Sequence, residues 1–326
     1  MTPPFSPAQG AREVGLAETR IRRYVRETPL EPSLFLSRET GAEVYLKLEC
    51  VQVTGSFKAR GAFNKLLSLS ESDRARGVVA ASTGNHGLAT AYALGVLGIA
   101  GEIFLPGSVS PAKLDGLRAR GARVRLVDED PGVVETVARQ DAERTGRIYV
   151  SPYNDPEVIG GQGTVGLEVL HQLEGLDAIL VPVGGGGLIA GIAAHVKAVA
   201  PSLRVVGCQP AACPILVESI KAGRLLELPS APSLSDATVG LVEAGAITFP
   251  LCQALVDDWI VVDEPALRSA LRLVLERQSV LIEGAAALPV AGLLAARARF
   301  RGGRVALVLS GSHIGLPVLA EVLRDP

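Results

Sequence analysis

Thr54-Gly55-Ser56-Phe57-Lys58-Ala59-Arg60-Gly61-Ala62 puts one lysine at the start of an expected helix, directly after a strand-like run over 44–49. A lysine amine titrates near pKa ~10 and is protonated at neutral pH, so a reactive one needs burial or a cationic neighbour. Lys58 stands between Phe57 and Ala59, in a segment poor in charge. Alone the stretch is ambiguous, because most lysines are solvated residues on helix faces.

Two further stretches change its meaning. Ser82-Thr83-Gly84-Asn85-His86-Gly87 follows the apolar run 78–81, and Gly184-Gly185-Gly186-Gly187-Leu188 follows the apolar run 178–183. Each reads as a strand-to-helix turn. Free backbone amides at a helix N-terminus attract anions, and missing side chains let a phosphate or carboxylate come close. Two such turns and one lysine with apolar neighbours suit a ligand carrying more than one anionic group. A nucleotide P-loop is excluded, since no Gly-Lys-Ser/Thr follows, and Gly184 to Gly191 satisfies a dinucleotide fingerprint only loosely.

With these motifs and Leu309-Ser310-Gly311-Ser312 after the last strand, the chain resembles the pyridoxal-phosphate enzymes of the tryptophan-synthase-beta type. It is most similar to their threonine and serine dehydratase branch, which includes serine racemase. The likeness runs from Thr28 to the end, with motif order kept. It implies an α/β fold of two domains, each a mostly parallel sheet flanked by helices: residues 1–70 with 155–326 as the large domain, and 71–154 as the small one.

The resemblance also implies the chemistry. Lys58 would be the lysine joined to pyridoxal 5'-phosphate and, once freed, the base for the substrate α-proton. Gly184, Gly185, Gly186, Gly187 and Leu188 would cradle the phosphate, which would also supply the proton to the departing hydroxyl. Ser310 would face the ring nitrogen, Asn85 the phenolic oxygen, and Phe57 would pack near the ring. Ser82, Thr83, Gly84, Asn85 and His86 would bind the substrate α-carboxylate. His86 is expected to be structural rather than a proton carrier, and Glu283 lies either under the cofactor or plainly at a helix start. His171 and His195 fall in expected helices without a partner pattern.

The implied reaction is dehydration and deamination of a β-hydroxy-α-amino acid, L-threonine, L-serine or a bulkier analogue, to a 2-oxo acid and ammonia. The bulkier option, phenylserine or a hydroxyectoine-derived compound, rests on Glu243-Ala244-Gly245-Ala246-Ile247-Thr248-Phe249 taken with the asparagine turn. Alternatives are a β-replacement synthase of the cysteine-synthase kind, a serine or aspartate racemase, a non-catalytic ligand sensor and, in a different class, a dinucleotide-binding dehydrogenase. Thr83 stands where serine racemases carry a serine, and its methyl narrows the space. Cys208-Gln209-Pro210-Ala211-Ala212-Cys213-Pro214-Ile215 offers no carboxylate where many relatives hold a divalent cation, so no metal is expected. The last turn carries Ser312 and His313 where the family more often has glycine and asparagine.

The rest of the chain agrees. Its 326 residues are 48% hydrophobic with a formal net charge of −2, enough for large cores and without the basic surplus of a nucleic-acid or anionic-membrane binder. Cys50, Cys208, Cys213 and Cys252 show neither zinc nor disulfide spacing. No run is long and apolar enough for a membrane span, so a cytoplasmic protein is expected, with a homodimer implied by the family. Strands are predicted at 78–81, 102–105, 123–127, 148–150, 178–183, 204–208, 259–262 and 304–309, and helices over 11–24, from Lys58, over 157–173 and from Leu188. A loose arm is expected up to Gln9, irregular structure over 225–250, and no appended regulatory domain after the last strand.

Overall fold

A computed structural model describes residues 5–128 and 133–324. Its strands are β1 (Leu30–Pro32), β2 (Glu43–Lys47), β3 (Val78–Ala81), β4 (Gly101–Pro106), β5 (Arg123–Val127), β6 (Ile148–Tyr149), β7 (Ala178–Pro182), β8 (Arg204–Pro210), β9 (Asp258–Val262) and β10 (Arg304–Val308). They form a six-stranded sheet in the order β1-β2-β10-β7-β8-β9 and a four-stranded sheet in the order β5-β4-β3-β6. Only β1 runs antiparallel to its neighbour.

The central strand β7, Ala-Ile-Leu-Val-Pro, is buried along its whole length. That is what a parallel strand covered by helices on both faces requires. On one face Leu180, Val206 and Leu307 pack with Leu271 and Leu288 of the helices Glu264–Gln278 and Gly284–Ala295. On the other, Ile179, Val181 and Val205 meet Val165 and Ile192 of the helices Pro156–Gln172 and Gly187–Val199. The edge strand β5 instead alternates arginines. Arg125 reaches Glu102 at 2.7 Å and Asp141 at 3.0 Å, and charge of this kind blunts an open edge.

Several sequence expectations are corrected. The first helix is Pro7–Ile21 rather than 11–24, so Pro7 to Gln9 of the expected arm are already helical, while residues 1–4 of it lie outside the described residues. Ser6 Oγ accepts from the Gln9 amide while Gln9 Oε1 accepts from the Ser6 amide, a reciprocal cap with proline in the first turn. The strand expected over 44–49 ends at Lys47, and Glu49 opens a short 3-10 turn, Glu49–Val51. The irregular stretch over 225–250 is broken by a 3-10 turn, Asp236–Thr238, and by the start of a helix, Thr248–Leu255. Glu283 does stand at a helix start, as the residue before Gly284–Ala295.

The helix Lys58–Ser68 packs against Pro156–Gln172 almost backbone to backbone. A Cβ on Gly161 would stand 2.6 Å from the Gly61 Cα and 2.6 Å from the Arg60 carbonyl oxygen. Behind the contact lies a cluster of ions buried from solvent. Arg60 donates to both oxygens of Glu49 and both of Glu168, and Lys47 reaches Glu168 at 2.6 Å. The lysine helix is thereby held in place from the rear.

Candidate active site

A cavity of about 790 Å³ opens where the loops after β3, β7 and β10 converge. This is the carboxyl end of the strands, where open α/β sheets bind their ligands. Lys58 begins its helix on the cavity wall. The Phe57 amide donates to the Ser310 carbonyl at 3.1 Å, and Ser56 forms a bridge with Gly311. The turn before the lysine and the turn after β10 are therefore one piece.

Lys58 Nζ donates to the Pro152 carbonyl at 2.7 Å and lies 5.1 Å from the Phe57 ring centroid. Its side chain opens onto the cavity, yet protein surrounds the amine. Burial pushes its pKa down to about 8, and the carboxylates of Glu283 and Glu135 offset only part of that. The sequence offered burial or a cationic neighbour as the route to a reactive amine. Burial is the route taken.

The Gly184–Gly187 turn links β7 to the helix Gly187–Val199. Gly186 has φ +88, which a side chain rarely tolerates, and a Cβ on Gly185 would stand 2.6 Å from the Tyr153 ring. None of the amides from Gly184 to Leu188 donates to a described protein group, while the Gly185 carbonyl accepts from Thr248 Oγ1 at 2.7 Å. The turn faces the cavity with donors at a helix start, in space that any side chain would fill.

Across the cavity, Ser82, Thr83, Gly84, Asn85 and His86 line the wall ahead of the helix Asn85–Leu97. Gly84 N donates to Ser82 Oγ at 3.2 Å, folding the turn on itself. His86 is buried and its Nε2 bonds the Val150 carbonyl at 2.9 Å. Burial, helped by the charge of Lys58, holds its pKa down at about 3, so the ring is neutral and fixed in place. A structural role fits this geometry.

Sequence reasoning missed one cluster. Glu283, 4% exposed, accepts from Asn85 Nδ2 at 2.9 Å on both oxygens and from the His313 amide at 3.1 Å. Asn85 Oδ1 bonds His313 Nδ1 at 2.5 Å. Burial raises the Glu283 carboxyl to about 7, against the opposing bonds from Asn85 and His313. Asn85, expected to face a cofactor oxygen, is here tied to both residues. Pro152 and Tyr153 were also missed, although Ser151-Pro152-Tyr153-Asn154 after the short strand β6 marked a tight turn beside the site.

The residues fit a phosphorylated aldehyde cofactor: a depressed amine for the aldehyde, and beside it a side-chain-free cradle of free amides for the phosphate. Comparison with known proteins agrees. The profile "Pyridoxal-phosphate dependent enzyme" matches residues 21–311. The chain belongs to the pyridoxal-phosphate-dependent enzymes. Within this family it is 38% identical over 307 residues to an L-threonine ammonia-lyase of Thermotoga maritima, covering 94% of this chain and 76% of that one. It is 42% identical over 310 residues to a putative threonine dehydratase of Sinorhizobium fredii, covering 94% and 93%. The structure of maize serine racemase superposes with a TM-score of 0.90 at 32% identity, over 96% of both chains.

The cofactor is pyridoxal phosphate, the enzyme is of the ammonia-lyase class, and the fold is that of these relatives. The dinucleotide-binding alternative loses its support. Among the described residues no helix is long and apolar enough to cross a membrane, and no group of three or more His, Cys, Asp or Glu is placed to hold a metal.

Proposed function

We propose that this enzyme removes water and then ammonia from a β-hydroxy-α-amino acid, with L-threonine the first candidate because it is named in several relatives. One observation carries the reading: the Lys58 amine, its pKa lowered by burial, faces the cavity between a glycine cradle and the turn Ser82 to His86. An amine titrating near neutrality both takes and returns a proton efficiently.

Lys58 would hold the cofactor aldehyde, Gly184 to Leu188 its phosphate, Ser310 its ring nitrogen and Asn85 its ring oxygen, with Phe57 beside the ring. When bound, the cofactor supplies a conjugated ring that takes up the electron pair left at the α-carbon. Ser82 to His86 orient the substrate through its α-carboxylate, and Lys58 Nζ accepts the α-proton. The β-carbon–oxygen bond then breaks, the hydroxyl leaves with a proton as water, and the released enamine hydrolyses to a 2-oxo acid and ammonia. Serine and bulkier substrates such as phenylserine use the same steps.

Racemisation is disfavoured by Thr83, and β-replacement would require a second nucleophile. The four-stranded sheet draws all its strands from within 71–154, which supports treating that segment as the small domain and 1–70 with 155–326 as the large one. Free, buried cysteines suit a reducing cytoplasm. A homodimer follows from the family resemblance, and sedimentation would test it. No divalent metal is required, and loss of activity on chelation, restored by magnesium, would refute that.

The deciding assay measures 2-oxo acid release from serine, threonine and phenylserine diastereomers. Release from L-threonine is expected. Silence across the panel, with cofactor bound, would reject the proposal.

A further inference from the structure

The cavity that Lys58 lines also has in its wall Lys113, on the helix Pro111–Arg118, and Arg120, just beyond that helix. Among the described residues neither cation has a carboxylate partner. Arg120 Nη1 donates to the Gly116 carbonyl at 2.9 Å, and the rest of its fork makes no bond to a described group. The charge of Arg120 reaches the inner site. After burial, it is the second cause of the lowered pKa of His313, the residue bonded to Asn85.

These cations have no task in handling threonine. Its side chain ends in a methyl group, its α-carboxylate is assigned to the Ser82 to His86 turn, and the cofactor phosphate to the glycine cradle. Cations on a concave wall concentrate an anion there, and an arginine fork matches a carboxylate in geometry as well as charge.

We propose that Lys113 and Arg120 form a subsite for a carboxylate at the far end of the substrate side chain, making the preferred substrate a β-hydroxy-α-amino diacid of the 3-hydroxyaspartate type. The inference rests on the dehydratase reading and narrows it. The chemistry balances without an added oxidant: the α-proton and β-hydroxyl leave as water, hydrolysis of the resulting imine consumes one water, and the net products are oxaloacetate and ammonia.

The test uses the holoenzyme and measures kcat/KM for 3-hydroxyaspartate diastereomers, L-threonine and phenylserine. One diacid diastereomer is expected to exceed threonine. Arg120→Leu and Lys113→Met should each lower the diacid-to-threonine ratio by about ten- to a hundredfold, mostly through KM, the size expected for losing a charge-assisted hydrogen bond. Arg120→Lys should restore most of the ratio. A ratio unmoved by both neutral variants overturns the subsite, as does a preference for phenylserine, which would mean that apolar wall residues such as Leu88 and Val318 choose the substrate. Threonine turnover without diacid turnover sinks the subsite alone. No 2-oxo acid from any substrate sinks the dehydratase reading beneath it.

Discussion

Lys47 and Lys58 are both enclosed by protein, and they are used in opposite ways. Lys47, behind the lysine helix, gives its three protons to three acceptors: Glu168 at 2.6 Å, the Thr28 carbonyl at 2.7 Å and Gln172 Oε1 at 2.9 Å. Burial lowers its pKa, and the charges of Glu168 and Glu49 offset part of that. Burial also pushes Glu168 upward, yet bonds from Arg60 and Lys47 outweigh that and hold it near 2. The pair stays ionised and fixed. Lys58 has a single neutral carbonyl as its hydrogen-bond partner, and burial takes its amine down to about 8. What separates the structural lysine from the reactive one here is the bonded carboxylate that Lys47 has and Lys58 lacks.

The contrast breaks most completely at Lys58 itself. Lys58→Ala should abolish 2-oxo acid release, by about a thousandfold or more, together with the visible absorbance of bound cofactor. Retained turnover would refute its role. Next in size is Glu168→Ala, which leaves Lys47 and Arg60 short of their partner. Removing one side of a buried ion cluster should cost about 3–5 kcal/mol in urea unfolding. A loss no larger than that of an exposed ion pair would show that the cluster is hydrated.

A smaller effect comes from filling the cradle. Gly185→Ala would press a methyl group into the Tyr153 ring, and cofactor affinity, measured by equilibrium dialysis, should fall by about tenfold or more. The subtlest test is pH. Because the folded pKa of Lys58 lies below its unfolded value, the unfolded chain binds more protons between them. Stability without cofactor should therefore rise from pH ~8 toward ~10.5. Glu283, raised to about 7, acts oppositely, so stability should fall from pH ~4.5 to ~7. Lys58→Met should remove the alkaline rise, and Glu283→Gln the acidic fall.

The same contrast shows what the sequence could reveal. Most strands were legible because β3, β7 and β10 are short apolar runs, and such runs are what a buried parallel strand is made from. β1 was not, since Leu30-Glu31-Pro32 is three residues without a period. The lysine, both glycine turns and Ser310 were readable as local motifs, and they meet around one cavity. The ion cluster and the Asn85–Glu283–His313 contact were not. Each is completed by a partner far off in the chain, Glu168 by 108 positions from Arg60 and Glu283 by 198 from Asn85, and no local pattern records a partner brought close only by the finished fold.

The bridge between Ser56 and Gly311, with the Phe57 amide on the Ser310 carbonyl, makes an anvil of one side of the cavity. The reactive amine and the serine after β10 share a single rigid mount, so neither can yield to a larger guest without dragging the other. Anyone widening this enzyme's diet by directed evolution should leave that mount untouched. Lining residues outside that mount, such as Leu88 and Leu241, are the ones to recut.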